Sequence, residues 1–184
     1  MPSSEDDIQI LIGGCLKNDR KAQEQLYKKF YHAMMALCVR YAKDKNDALE
    51  ILNDGYLKVF KNMDQYDAAR ASLYTWMRRI MINTTIDFLR KRQVYHNMDI
   101  LTDMEEEAGI ENDAIQKMNG GELLKAIRQL PTTTCTVFNL YAIDGFSHRE
   151  IAALLQISEG TSRWHLSEAR RQLKIIIHLM ENNP

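Results

Sequence analysis

Arg163, Arg170, Arg171 and Lys174 fall within one stretch, SHREIAALLQISEGTSRWHLSEARRQLK, at residues 147–174. An Arg can donate two hydrogen bonds to guanine O6 and N7, worth roughly 1–3 kcal/mol of base discrimination, and any of these cations can neutralise a phosphate. A second group carries different chemistry. Trp76, Ile80 and Asn83 lie within YTWMRRIMINTTIDFLRKR at 74–92, which also holds Arg78, Arg79, Arg90, Lys91 and Arg92. An apolar or aromatic wall, an amide and nearby cations are what a base leaving the duplex needs.

Catalytic patterns are missing. The five histidines (His32, His96, His148, His165, His178) sit far apart or on helix faces that suggest no shared site. Cys15, Cys38 and Cys135 stand singly, without C-x-x-C spacing or a nearby His pair, and are expected to be small buried apolar residues. No Gly-rich phosphate loop or nucleophile-plus-base pair is visible, so the expectation is a protein that is not an enzyme and needs no cofactor or metal.

The elements that must position these residues are helical. Only 3 prolines and 8 glycines interrupt a chain of 184 residues rich in good helix formers, which predicts an all-α fold. No stretch approaches the ~18 uninterrupted apolar residues of a membrane span, and the N-terminus, MPSSEDD, is acidic where a signal peptide is basic. The expected location is the cytoplasm. The net charge of −1 conceals segregation: 70–92 holds six basic residues against one acid, whereas 99–113 holds seven acids and no Lys or Arg.

Leu26, Phe30, Ala33, Leu37 and Tyr41 step by three and four, predicting a helix from near Asp19. A second, capped by Asp44 or Asn46, carries the stripe Ala48, Ile51, Leu52, Tyr56, Val59, Phe60 and Met63, with Gly55 on the same side where another helix can approach. Ser72 caps a third, running to about Arg92 with the seam Leu73, Met77, Ile80, Thr84 and Phe88; Trp76, Asn83, Asp87 and Arg90 form a neighbouring, partly polar stripe. A short opening helix with Ile8, Leu11, Ile12 and Leu16 completes a domain over 1–93. The acidic, weakly periodic segment 94–118 reads as a flexible linker. Periodicity resumes in GELLKAIRQLP, with Leu123, Leu124, Ile127 and Leu130 on one side, and opens a second domain over 119–184. Pro131 stops that helix, and Thr132 to Thr134 are expected to cap another over Cys135 to Ile143, ending at Asp144–Gly145.

Ser147 and Glu150 form a capping box directly before Ile151, Ala152, Leu154 and Leu155. Gln156–Ile157 make a turn, and Ser158 caps a further helix that buries Leu166, Ala169 and Leu173. Two short helices joined this way, with small Ala152 at their crossing, describe a helix-turn-helix. In that motif the second helix enters the major groove. Glu159, Ser162, Arg163, Trp164 or His165, Ser167, Arg170, Arg171 and Lys174 are its expected exposed positions, with Arg163 best placed to read a base. Gln156 stands where Gly often supplies a left-handed backbone.

The order of YTWMRRIMINTTIDFLRKR, an acidic linker and LPTTTCTVFNLYAIDGFSHREIAALLQISEGTSRWHLSEARRQL resembles the extracytoplasmic-function (ECF) sigma factors of the sigma-70 family, over about residues 8–178. The resemblance implies that the first domain is region 2, with core-polymerase binding and minus-10 recognition and melting, and the second region 4, with minus-35 recognition. It implies docking on the clamp coiled coil of the polymerase through Asp47, Glu50, Asn53, Asp54 and Lys58. Tyr66, Tyr74, Trp76, Arg79, Ile80, Asn83 and Arg90 fall where melted minus-10 bases are held; Trp76 and Ile80 also suit a core, and Asp87 suits a tether for Arg90. Ser158, Glu159, Ser162, Arg163, Trp164, Ser167, Glu168, Arg170 and Arg171 fall at the minus-35 face. Glu168 stands where such proteins often have a basic residue. Its carboxylate repels phosphate yet can accept from cytosine N4.

The function implied is promoter-specific transcription initiation, with the bacterial RNA polymerase core (clamp coiled coil and flap), promoter DNA and an anti-sigma factor as partners. Two rivals remain at this point. One is a freestanding helix-turn-helix regulator that binds a palindrome as a dimer. The other is an adaptor whose two helical units bind only proteins.

Overall fold

In a computed structural model of the chain, residues 4–96 and 120–181 are described, and every regular element among them is helical. The chain divides into two compact units, Met1–Tyr95 and His96–Pro184. The fold is all-α, as the shortage of helix breakers predicts. From residue 97 onward, the expected linker lies outside the described residues, while 94–96 belong to a helix.

The first unit holds α1 (Ser4–Leu16), α2 (Arg20–Tyr41), α3 (Lys45–Lys61) and α4 (Leu73–His96). Asn18 ends α1 in the left-handed region (φ 57°), a conformation its short polar side chain tolerates. Asp19 then opens α2 by accepting from the Lys21 N–H at 2.9 Å. A Cβ on Gly14 would overlap the Ala22 side chain, so this glycine lets α1 lie close on α2. Asp44, not Asn46, caps α3: its carboxylate accepts from the Asn46 and Asp47 N–H groups at 2.9 and 3.0 Å. The Ser72 hydroxyl accepts from the Thr75 N–H at 3.2 Å and starts α4.

Leu26, Met34, Ile51, Leu52, Met77, Met81 and Ile82 are wholly enclosed in this core. The stripes differ locally from the expected ones. On α2 the buried positions are Ala22, Leu26, Met34, Leu37, Cys38 and Tyr41, whereas Ala33 faces out and Phe30 is half-buried. A methyl group is cheap to expose, and the longer Met34 fills the core instead. On α1 the buried residues are Ile12 and Cys15, with Leu16 exposed. Met81, Thr85 and Ile86 of α4 are buried as well, while Ile80 and Phe88 are only half-buried. The Thr84 and Thr85 hydroxyls donate to the Ile80 and Met81 carbonyls at 2.9 and 2.8 Å, so their burial leaves no polar atom stranded. Met81 also occupies the space a Cβ on Gly55 would need, which is the close approach that glycine predicts. Burial pushes the Cys38 thiol up to about 12 and the Cys135 thiol to about 11, so both stay protonated and inert at neutral pH.

The second unit holds α5 (Gly120–Ile127), α6 (Thr132–Phe138), α7 (His148–Leu155) and α8 (Glu159–Glu181). Pro131 does more than stop α5: it also sits at the start of α6, where its carbonyl accepts from the Cys135 N–H at 2.8 Å. The threonines expected to precede α6 are therefore inside it, and Thr136 donates back to the Thr132 carbonyl at 2.8 Å. After Phe138 the helix widens into a π-helical turn, Asn139–Ile143, closed by the Asp144 N–H on the Asn139 carbonyl at 2.9 Å.

The capping box forms as its spacing predicts. Ser147 Oγ accepts from the Glu150 N–H at 3.3 Å, and the Glu150 carboxylate accepts from the Ser147 N–H at 2.9 Å. Gln156 follows α7 with φ 58° and ψ 40°, the left-handed conformation for which Gly is favoured. Ser158 Oγ then accepts from the Thr161 N–H at 2.9 Å and opens α8, which runs past the expected Lys174 to Glu181. Gln156 is exposed, so its side chain gains little there. Gln156→Gly is expected to stabilise the second unit by about 0.5–1 kcal/mol, net of the entropy glycine adds to the unfolded chain. Thermal denaturation of the full chain checks this, and an unchanged or lower midpoint contradicts it.

Candidate nucleic-acid interface

On α4 the residues that bury the core leave a second face. Trp76, Ile80, Asn83 and Asp87 follow one another at helical spacing; Trp76 and Ile80 are half-buried, while Asn83, Asp87 and Arg79 are exposed. Tyr66 comes to this face from the preceding loop: its ring lies 5.5 Å from that of Trp76, and its hydroxyl donates to the Ala71 carbonyl at 3.2 Å. Tyr74 is not brought there. It is 44% exposed and lies 6.4 Å from the ring of Phe30 on α2. The half-burial of Trp76 and Ile80 lets one wall serve core and surface together.

Two ion pairs tie α3 to α4, and both revise the expected roles. Asp47 is only 5% exposed and accepts from the Arg92 guanidinium, which also lies over the Phe88 ring at 5.2 Å. It therefore does not belong to an outer docking face, and Arg92 does not stand as a spare phosphate cation. Lys58 donates to Asp87 at 2.9 Å, so Asp87 reaches across to α3 rather than serving only as the expected tether for Arg90. Glu50, Asn53 and Asp54 are the exposed members of the expected set, and Leu57, 67% exposed, joins their face. Sequence reasoning missed Leu57, although its position off the apolar stripe of α3 was a usable signal.

The outer face of α8 presents Glu159, Arg163, Ser167, Arg170, Arg171 and Lys174, all exposed. Arg163 donates to Glu159 at 3.0 Å, one turn toward the N-terminus. Glu168 takes two bonds from Arg171, at 2.9 and 2.7 Å, and one from Gln172 at 2.5 Å. These, the Arg171 bond foremost, hold its carboxyl below the usual range and keep it ionised. The acid that was expected to repel phosphate or meet cytosine is thus matched by its own neighbour on the helix.

Two expected members of this face are elsewhere, and a third reaches it only in part. Ser162 is 0% exposed and shares a hydrogen bond of 2.9 Å with His148 Nδ1 on α7; it belongs to the interior side of α8 with Leu166, Ala169 and Leu173. Trp164 is half-buried, edge-on to His165 at 4.8 Å. His165 is hydrogen-bonded to Thr134 on α6 at 3.0 Å. Polar residue types on a capped helix read as outward-facing, and only their distant partners reveal otherwise.

The family model described as Sigma-70 region 2 matches residues 26–94, and that described as Sigma-70, region 4 matches 120–173. The chain belongs to the ECF sigma factors of the sigma-70 family. It is similar to RNA polymerase sigma-H factor of Pseudomonas aeruginosa, 26% identical over 92% of this chain and 93% of that protein. It is likewise similar to ECF RNA polymerase sigma-E factor of Escherichia coli, 26% identical over 90% of this chain and 91% of that one. The fold also matches the solved structure of the sigma factor RpoE in complex with the anti-sigma factor NepR from Bartonella quintana. That match has a TM-score of 0.53 at 20% identity, covering 84% of this chain and 96% of that one.

As a sigma factor, the chain directs promoter-specific initiation of transcription. The region 2 match spans α2 to α4 and accounts for the half that a freestanding regulator would use for dimerisation, so that alternative is set aside. No helix among the described residues is long and apolar enough to cross a membrane.

Within region 2, the buried carboxylate of Asp47 depends on a cation that is itself half-exposed. Arg92→Ala is expected to cost about 2 kcal/mol, because it strands a buried charge, and Asp47→Ala less, because Arg92 can return to water. The double variant should fall well short of the sum. Urea unfolding of the four chains checks the cycle, and additive losses would show that the pair is uncoupled.

Proposed function

We propose that this sigma factor reads promoters with the two faces just described. Residues 1–93 act as region 2, 94–118 as an acidic linker and 119–184 as region 4. The face of α4 receives bases of the melted minus-10 strand: Tyr66, Trp76 and Ile80 form the wall, Asn83 supplies the amide, and Arg79 and Arg90 supply charge toward the backbone. Tyr74 stands apart from that wall.

The N-terminal part of α8 enters the minus-35 major groove. Arg163 reads a base there, with Ser158, Glu159, Trp164 and Ser167 around it and Arg170 and Arg171 toward phosphates. Glu168 acts through Arg171, and Ser162 acts from beneath the face.

Polymerase docks on the outer face of α3 through Glu50, Asn53, Asp54 and Leu57, meeting the clamp coiled coil, and region 4 meets the flap. Lys58 and Asp47 support that face from its sides. An anti-sigma factor is expected to hold the protein inactive, a relation for which the Bartonella protein captured with NepR is a precedent. The protein works in the cytoplasm and by binding alone, with no catalytic group or cofactor of its own.

The observation that carries this reading is the single line of aromatic, apolar and amide side chains on α4, left over after the core is filled, in a chain that also presents cations on a capped helix-turn-helix. Run-off transcription with purified core polymerase tests it. Initiation at defined promoters should require this chain, and a promoter library that yields none would sink the reading.

Two variants separate the faces. Asn83→Ala should reduce open-complex formation several-fold and spare duplex minus-35 binding, whereas Arg163→Ala should weaken discrimination at one minus-35 position by about 1–3 kcal/mol. Glu168→Gln releases Arg171 to phosphate. Its DNA affinity should rise, and its dependence on salt should steepen by about one counterion. An unchanged salt slope would show that Arg171 already contacts DNA despite Glu168.

A further inference from the structure

One residue buried within the helix-turn-helix is the wrong type for its place. Ser162 lies one turn into α8, on the side that buries Leu166, Ala169 and Leu173, and is fully enclosed. An enclosed hydroxyl with no partner costs about 1–3 kcal/mol, and an apolar residue of the same size would escape that cost.

The partner is supplied by another helix. His148, the first residue of α7, places Nδ1 2.9 Å from Ser162 Oγ. The ring of His148 is held in turn by Tyr141, stacked at 4.5 Å with 22° between planes. Tyr141 comes from the π-helical turn. Three separate segments therefore meet at one imidazole, and their meeting ends on the residue next to Arg163.

Apolar burial is non-directional and leaves the side chains of α8 some room to repack, whereas a hydrogen bond is directional and sets the angle of the helix more sharply. A rotation of α8 about its axis would swing Arg163, Ser167 and Arg170 together, because all three project from its outer side. The bond between Thr134 on α6 and His165 restrains the same turn of α8 from another helix. His148 also lies within electrostatic reach of the outer face. Burial foremost, then Arg163 and Arg170, holds its imidazole below the ordinary histidine range, and Glu159 opposes them. The ring is thus kept neutral beneath the cations that meet DNA.

We propose that His148 and Ser162 are positioning residues for minus-35 recognition: their bond fixes the rotation of α8, and so aims Arg163 at its base. The proposal rests on the reading that α8 enters the major groove. It predicts a division of effects. Base preference needs the aim to within a fraction of an ångström, whereas Arg170 and Lys174 can follow phosphates over a range of rotations.

The decisive variant removes the bond without leaving an unpaired polar atom. His148→Phe with Ser162→Val keeps a ring against Tyr141 and fills the space of the hydroxyl, a replacement expected to be nearly neutral for folding. The full chain is combined with core polymerase and assayed by run-off transcription on a promoter library randomised at the minus-35 element. Thermal unfolding is measured in parallel.

Wild type should enrich a defined minus-35 sequence. The double variant should lose about tenfold of that preference, comparable to a bidentate base contact, while its thermal midpoint and its transcription from promoters selected for minus-10 alone stay near wild type. Ser162→Thr keeps a hydroxyl and should restore preference. Ile127→Ala, a core truncation on α5, should lower the midpoint and leave preference intact.

Full preference in the double variant overturns the proposal. So does an equal loss in Ile127→Ala, since preference would then follow stability and not aim. Absence of any preference in wild type overturns the groove reading itself, and the proposal with it.

Discussion

A helix that offers functional groups to solvent must be held by the rest of its circumference, and α4 meets this demand most severely. It buries Leu73, Met77, Met81, Ile82, Thr85 and Ile86, a wide arc for one helix, and still presents Trp76, Asn83 and Arg79 outward. The arc is wide enough because the threonine hydroxyls bond within their own helix and because Met81 enters the space vacated at Gly55. The Asp47–Arg92 and Lys58–Asp87 pairs then fasten the charged flanks to α3. A half-exposed pair such as Lys58–Asp87 adds little stability; its value lies in holding Asp87 at the edge of the presented face.

The second unit solves the same problem with polar contacts. Its α8 is joined to α6 and α7 through hydroxyl–imidazole bonds as well as through Leu166, Ala169, Leu173 and Ile177. Each such bond removes a penalty more than it adds stability, so its main effect is to select one arrangement among several of similar energy.

Local features were legible in the sequence and long-range ones were not. The capping box at Ser147 and Glu150, the helix start near Asp19, the caps at Ser72 and Ser158, the close approach at Gly55 and the strained Gln156 all follow from neighbouring residues and form as read. Ser162 and Asp47 were misread as outward-facing because each is a polar residue whose partner lies 14 or 45 positions away, and the partner of Lys58 lies 29 positions away. Hydrophobic periodicity cannot see such partners; it assigns polar residues to solvent by default. The widening after Phe138 was equally hidden, since NLYAI has the composition of an ordinary helix.

That π-helical turn makes the spacing of this segment count as much as its composition. A π-helical turn accommodates one residue more than regular α-helix, and a residue adds about 100° of rotation. Deleting one position between Phe138 and Asp144 would let the regular ladder close. Tyr141 would then swing roughly a quarter turn away from the His148 ring. Substitutions at exposed Ala142 and Ile143 can be absorbed one side chain at a time, but a change of length cannot, and descendants of this chain should keep the residue count of this segment.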